Sequence, residues 1–348
     1  MKKMLAILLC ATMAFSLAAC GSSSSSTLTE TTEEAAEEET EEAEETEEAA
    51  TETTETYTVG ICQLVQHDAL DAATQGFKDA LTEAFGDAVT FDEQNAQGDS
   101  NTCSTIINSF VSADVDLILA NATAALQAAQ AGTDTIPVLG TSITDYATAL
   151  ELDSFDGTVG GNISGTSDLA PLAEQAAMLA ELFPDAETVG LLYCSAEANS
   201  QYQVDNVQAE LESLGYTCTQ YSFSDSNDIA AVAQSAADAS DVIYVPTDNT
   251  AAANTEIIDN ICRPAGVPVI AGEEGICEGC GVATLSISYY DIGYISGEMA
   301  AQILTGEADI STMPIEYAPN VTKEYNAEIC EDLGITVPDD YVAIATEE

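Results

Sequence analysis

The chain contains no tryptophan, one histidine, and only five lysine and arginine residues against 61 aspartates and glutamates. Each shortage excludes something. So few cations rule out a surface built to track nucleic-acid phosphates or an anionic lipid face, because both are bound by clustered Lys and Arg. With no arginine clamp to spare, an anionic group on a ligand has to be held mainly by hydroxyls, amides and backbone N–H groups at helix starts. The missing tryptophan weighs against a sugar or nucleoside site, whose ring is commonly flanked by Trp or Phe. There is no GxSxG, HExxH or Walker sequence, so no nucleophile, zinc-protease or nucleotide chemistry is indicated, and an enzyme is not expected. The lone histidine, His67, then reads better as a polar wall residue than as a general base or a metal ligand.

Beyond the first twenty residues no second apolar run reaches membrane length. That opening stretch, "MKKMLAILLCATMAFSLAAC", has a Lys2-Lys3 start, a short apolar core and small residues before Cys20. It reads as an export signal over residues 1–19. Residues 20–56 follow as a Ser-, Thr-, Ala- and Glu-rich run with fourteen Glu and no base, which lacks an apolar stripe and whose like charges repel at helical spacing. It is expected to be a disordered tether spanning roughly 30–36 Å as a flexible coil. Setting leader and tether aside leaves 47 acidic against 3 basic residues, namely Lys78, Arg263 and Lys323. Such a balance is read as a solvated acidic surface.

Eight cysteines fall after residue 56, widely scattered in an apolar chain, which does not look like a disulfide framework. Cys277-Glu278-Gly279-Cys280 is the only CxxC. With no second pair and no neighbouring histidine it is poor as a metal site; a local disulfide or small core thiols are the other readings, and no metal and no cofactor are expected.

From residue 57 short β-branched runs alternate with longer Ala-rich amphipathic stretches: "YTVGICQLV" precedes "DALDAATQGFKDALTEAF", and "DVIYVP" precedes "TAAANTEIIDNICR". Strand followed by helix, repeated, predicts α/β architecture with parallel sheets and right-handed crossovers. Two such series, separated by the Gly-, Ser- and Asn-rich "DGTVGGNISGTSDLAP", predict two Rossmann-like lobes. In parallel sheets ligands bind beyond the carboxyl ends of the strands. Those ends carry Gln66 and His67, Thr123, Ser142 and Asp145 in the first series, and Ser195, Glu197, Asn199, Thr247, Asp248, Asn249 and Glu273 in the second. Any one of them could be a helix cap. Two or three consecutive polar residues exceed what one cap needs, so the surplus is expected to face a ligand. Carboxylates for a cation, with hydroxyls and N–H groups for an anion, suit a zwitterion such as an amino acid. Tyr290, beside Tyr289 where the chain re-crosses, is a candidate for stacking on an aromatic ligand.

Several segments, "VGICQLVQHDALDAATQGFKDAL", "ISGTSDLAP", "LFPDAETVGLLYCSAEANS", "IYVPTDNT" and "YYDIGYISGEMAAQILTGE", closely resemble the substrate-binding lipoproteins of ABC importers for tryptophan, tyrosine or other aromatic amino acids. The likeness covers nearly all of residues 57 to 335. It implies the type I periplasmic-binding-protein fold, with two lobes joined by three hinge crossings: residues 57–166 plus 287–312, and 167–286 plus 313–348. It implies ligand contacts from Ser195, Glu197, Asn199, Thr247, Asp248 and Asn249 on one side, and from His67, Thr123, Ser142 and Asp145 on the other. It implies lipidation at Cys20, attachment to the outer face of the cell membrane by that lipid alone, a monomer, and an ABC permease with a cytoplasmic ATPase as partners. A sugar or nucleoside receptor, or a sensory ectodomain, is the alternative on the same fold. The sequence departs from its relatives at Cys194, where Asn is common, and at the Cys277/Cys280 pair.

Overall fold

The computed structural model describes residues 55–345. The expected leader, Cys20 and nearly all of the acidic tether lie outside the described residues. In chain order the first series runs β1 (Tyr57–Gln63), α1 (Asp68–Phe85), β2 (Val89–Asn95), α2 (Ser100–Ala113), β3 (Leu117–Asn121), α3 (Thr123–Gly132), β4 (Val138–Ile143), α4 (Tyr146–Ala149) and β5 (Ile163–Ser167). The second runs α5 (Leu172–Leu182), β6 (Thr188–Cys194), α6 (Ala198–Leu214), β7 (Thr217–Phe223), α7 (Ile229–Ala237), β8 (Val242–Val245), α8 (Asn249–Ala252), α9 (Thr255–Ala265), β9 (Val269–Ala271), α10 (Glu274–Cys280) and β10 (Ala283–Ile287). The chain closes with α11 (Tyr289–Leu304), β11 (Glu316–Tyr317), β12 (Val321–Tyr325), α12 (Ala327–Leu333) and β13 (Val342–Ala343).

Two sheets result, ordered β11-β5-β4-β3-β1-β2 and β13-β12-β10-β9-β8-β6-β7. Every pairing is parallel except β10 with β12. Strands covered on both faces must be apolar on both, and β3 shows the period of two. Leu117 and Leu119 join Phe77 and Leu81 on one side, while Ile118 and Ala120 join Phe110 and Ile107 on the other. The second sheet divides likewise, with Leu191, Val204 and Tyr244 on one face and Leu192, Ile243 and Ile258 on the other.

The chain passes from one sheet to the other after β5, after β10 and after β11. The last passage was expected near residue 312; β11 instead pairs with β5 of the first sheet, so the crossing falls between Tyr317 and Val321. Return to the first sheet after β10 is fixed by α11 lying on α1 with backbones almost touching. A Cβ on Gly293 would sit 2.0 Å from the Ala73 carbonyl oxygen, and one on Gly76 would sit 2.2 Å from that of Tyr290. Only glycine admits so close an approach.

All eight cysteines among the described residues are free, and seven are buried. The Cys280 thiol donates to the Ile276 carbonyl at 3.3 Å. Burial drives the Cys277 and Cys280 thiols well above their ordinary range. Both are free and buried, so the local-disulfide reading of this CxxC is not met in the structure.

Candidate functional site

The strand β8 ends at Val245, and the polar run after it has three distinct tasks. Asp248 is the N-cap of α8, its Oδ1 accepting from the Ala251 N–H at 2.8 Å, while Oδ2 accepts from the Cys194 N–H at the end of β6 at 2.6 Å. One carboxylate thus ties two adjacent strand ends together. Thr247 is held from α6: Gln203 accepts from its N–H at 3.2 Å and donates to its hydroxyl. Asn249 donates from its N–H (3.0 Å) and its Nδ2 (2.7 Å) to Glu197. The other Glu197 oxygen takes the N–H and the hydroxyl of Thr250, at 2.9 and 2.7 Å. The next turn is pressed against this one, because a Cβ on Gly272 would lie 2.6 Å from the Pro246 carbonyl carbon. That contact brings in Glu273, which caps α10 through the N–H groups of Gly275 (2.8 Å) and Ile276 (2.6 Å).

Facing these turns, the first sheet presents the ends of β1, β4 and β5. His67 stands at the start of α1. Because Asn249 turns its Nδ2 to Glu197, its Oδ1 must face the imidazole, so Nε2–H of His67 donates across the cleft at 3.3 Å and Nδ1 is left as an acceptor. Thr144 and Gln203 make a second bridge between the sheets at 3.2 Å. Ser142 lies within β4 at φ 57°, a left-handed conformation that is uncommon outside glycine, and its buried hydroxyl has no hydrogen-bond partner. Asp168, just past β5, is buried; the Tyr289 hydroxyl donates to its Oδ2 at 3.0 Å, and its Oδ1 has no partner.

These groups surround one cavity whose lining includes His67, Ser142, Asp168, Asn199, Asp248 and Glu273. Its free volume is about 10 Å³, room for about one water. A larger groove of about 400 Å³ adjoins it, lined by Asp99, Cys194, Glu197 and Thr250, and Asn249 borders both spaces. Asn249, bonded to His67 across the cleft, therefore lies where groove and cavity meet.

The electrostatics are one-sided. Burial pushes the Asp168 carboxyl up to about 6, against the Tyr289 and Thr144 hydroxyls that favour its charge. Glu273 is pushed up to about 7 by burial, against the two N–H groups it caps. Asp248 is raised by burial and then by the neighbouring Glu197 charge, against the Cys194 and Ala251 N–H groups. Burial lowers His67, more than Asn249 and the nearby Glu197, Asp71 and Asp68 raise it, so the imidazole stays neutral at neutral pH. Among the described residues no Lys or Arg lines the cavity: Lys78 pairs with Glu93, Arg263 with Asp259, Glu328 and Asp332, and Lys323 with Glu181 and Asp340.

Of the residues singled out in the sequence, His67, Ser142, Asn199, Thr247, Asp248, Asn249 and Glu273 meet at this cavity. The others do not line it. Glu197 stands behind its wall as the clasp just described. Ser195 donates to the Phe223 carbonyl at 3.1 Å, and Asp145 caps α4 through the Thr148 N–H at 2.8 Å. Thr123 is buried in the first turn of α3. Gln66 is exposed beside Asp71 and Lys78 in a separate surface hollow. Tyr290 points away, its hydroxyl on Asp79 at 3.0 Å and its ring stacked on Tyr294. Consecutive helical residues differ in direction by about 100°, so when Tyr289 faces the cavity Tyr290 cannot. Asp168 is a polar cavity group that the sequence pattern does not single out, and Tyr289, named there only as the neighbour of Tyr290, is the tyrosine that lines the cavity. The pattern Ser288-Tyr289-Tyr290-Asp291, with Ser288 accepting from the Asp291 N–H at 3.1 Å, is a capping signature that would have fixed the start of α11 and the direction of each tyrosine.

Residues 58–348 match the family described as ABC transporter substrate binding protein. The tyrosine-binding protein of Clostridioides difficile (strain R20291) is 35% identical over 260 residues, covering 74% of this chain and 75% of that protein. Among solved structures, the ABC domain in complex with L-Trp from Streptococcus pneumonia is 30% identical with a TM-score of 0.78, covering 82% of this chain and 96% of that one. The ligand-free, open structure of a substrate binding protein with adhesive properties from Clostridium difficile is 34% identical with a TM-score of 0.64, covering 84% and 100%. The chain belongs to the substrate-binding proteins of ABC transporters, and its two mostly parallel sheets form the periplasmic-binding-protein fold.

Proposed function

We propose that this member of the ABC transporter substrate-binding family is a non-enzymatic, extracytoplasmic receptor for a small amino acid, one with an aromatic side chain as in its tyrosine- and L-Trp-binding relatives. The observation that carries the reading is the composition of the cavity wall. Buried carboxylates stand ready for an ammonium, while hydroxyls, amides and turn N–H groups, with no Lys or Arg, are all that can meet a carboxylate. That inventory suits a zwitterion and suits a phosphate or a dicarboxylate poorly. The ligand would be met by His67 and Ser142 from one sheet and by Asn199, Thr247, Asp248, Asn249 and Glu273 from the other, so both halves hold it only when they have closed. Delivery would be to an ABC permease with a cytoplasmic ATPase, by a monomer held at the outer membrane face through a lipid on Cys20.

Titration calorimetry of the full chain against the free amino acids tests the reading. Saturable binding of L-tyrosine or L-tryptophan is the expected result. Binding of no amino acid, or of a sugar in its place, would defeat it.

A further inference from the structure

Four carboxylates lie in or directly behind the cavity wall, and they differ in what remains free. Both oxygens of Asp248 accept backbone N–H groups, from Ala251 and from Cys194. Both oxygens of Glu273 accept from Gly275 and Ile276. Both oxygens of Glu197 are taken by Asn249 and Thr250. Only Asp168 keeps an oxygen, Oδ1, to which no hydrogen bond is formed, although the Thr144 hydroxyl lies near the carboxyl, and it does so at 5% exposure while lining the cavity. A buried carboxylate oxygen left unpaired is costly, and a fold that retains one at a cavity wall is holding it for a donor that comes from outside. In the wall of the same cavity the Ser142 hydroxyl, 6% exposed and in a left-handed backbone position, is likewise without a partner.

The supports of Asp168 fix its aim. Its backbone N–H donates to the Ile143 carbonyl at 3.2 Å, and the Tyr289 hydroxyl holds Oδ2. Asp168 follows the first crossing strand β5, and Tyr289 opens α11 after the second crossing, so the carboxylate is clamped where two of the three interlobe segments meet.

We propose that Asp168 receives the ammonium group of the ligand on Oδ1, and that this contact makes the site select an amino acid over the same molecule lacking its amino group. The inference rests on the amino-acid reading above and adds the residue that enforces it. Tyr289 acts as a positioning residue, holding the second oxygen so that the first faces the guest, and the Ser142 hydroxyl, in the wall of the same cavity, is a second acceptor. The groups facing Asp168 are Tyr289 of α11, Tyr146 of α4 and the Thr144 hydroxyl, and His67, Asp248 and Glu273 share its cavity. Since the free carboxyl titrates near 6, ammonium capture below that pH must displace a proton.

The test measures calorimetric affinity of the full chain for L-tyrosine and for 3-(4-hydroxyphenyl)propionate, and for L-tryptophan and indole-3-propionate, in wild type, Asp168→Asn and Tyr289→Phe. Wild type is expected to prefer each amino acid at least a hundredfold over its des-amino analogue. Asp168→Asn is expected to lose that preference by weakening the amino acid alone, and Tyr289→Phe to weaken it about tenfold. Between pH 7.5 and 5 the wild-type affinity for the amino acid should fall, and more steeply than that of the Asn variant, in which Glu273 and Asp248 alone still take up protons in the cavity. The Asn variant removes an unpaired buried charge, so its ligand-free melting temperature should equal or exceed that of wild type. Wild-type binding of the amino acids with undiminished affinity in Asp168→Asn would overturn the proposal and leave the amino-acid reading standing. Should Asp168→Asn fail to fold, equal wild-type affinity for an amino acid and its des-amino analogue overturns it instead. Binding of neither amino acid by wild type overturns both.

Discussion

The two walls of the cavity are built on different plans. The wall from the second sheet is satisfied within itself: Glu197 clasps Asn249 and Thr250, Asp248 joins two strand ends, and Glu273 caps its own helix. The wall from the first sheet holds the groups left wanting, the Ser142 hydroxyl and Asp168 Oδ1. The difference separates shape from appetite. A self-satisfied wall keeps its form whether or not a guest is present, which limits the ordering cost of binding. An unsatisfied wall stands to gain most from the donors that the proposed ligand would bring.

That contrast can be broken by substitutions that should behave oppositely on the two sides. The largest effect is expected from Glu197→Ala, which removes four hydrogen bonds to one turn and should lower stability by about 2–3 kcal/mol in urea unfolding, with ligand affinity falling as Asn249 comes loose. A stability unchanged from wild type would show that the second wall is not self-supporting.

Solution pH comes next. Asp168, Asp248 and Glu273 are acids whose folded pKa is raised, so the folded chain binds more protons than the unfolded chain between the ordinary carboxylate range and about 6 to 8. Stability must then rise as pH falls from 8 toward 5, helped by relief of the excess negative charge. His67, whose pKa is lowered, opposes this below its ordinary value, but three acids outweigh one imidazole. The melting temperature of the ligand-free chain should therefore be higher at pH 5.5 than at pH 8, and a decline would contradict the burial of these acids.

A smaller effect is expected from His67→Ala, which deletes a bond between the walls worth about 1 kcal/mol. It should shift the open-to-closed ratio roughly fivefold toward open, read from the distance between fluorophores placed on the two lobes. The smallest effect on stability belongs to Ser142→Ala. Losing an unpartnered hydroxyl should change unfolding by less than about 0.5 kcal/mol, yet ligand binding should weaken, a split that no second-wall residue should show.

Much of this could be read along the chain. The alternation of "DLILA" with "TAALQAAQA" and of "DVIYVP" with "TEIIDNICR" sets parallel sheets between helices, because each strand is apolar on both sides and each helix on one. Seven cavity residues were legible because polar surplus at a strand end is a local pattern. Thr123, Asp145 and Ser195 carry the same pattern and are spent on a helix start, a cap and a loop bond, and sequence alone does not tell a cap from a contact. Asp168 was hidden in a crossing read only as punctuation, and Tyr289 was exchanged for Tyr290 because helix phase depends on where the helix begins.

By itself, then, the sequence determined the element order, the scarcity of cations and the placement of polar groups at strand ends, since propensity, periodicity and charge act over a few neighbouring residues. Which of those groups would share one cavity, which would satisfy each other, and which single carboxylate oxygen would be left facing the gap were decided only when residues more than a hundred positions apart, such as Asp168 and Tyr289, were packed side by side. Hydrogen-bond satisfaction in a buried site depends on every neighbour at once, and only the tertiary structure supplies them.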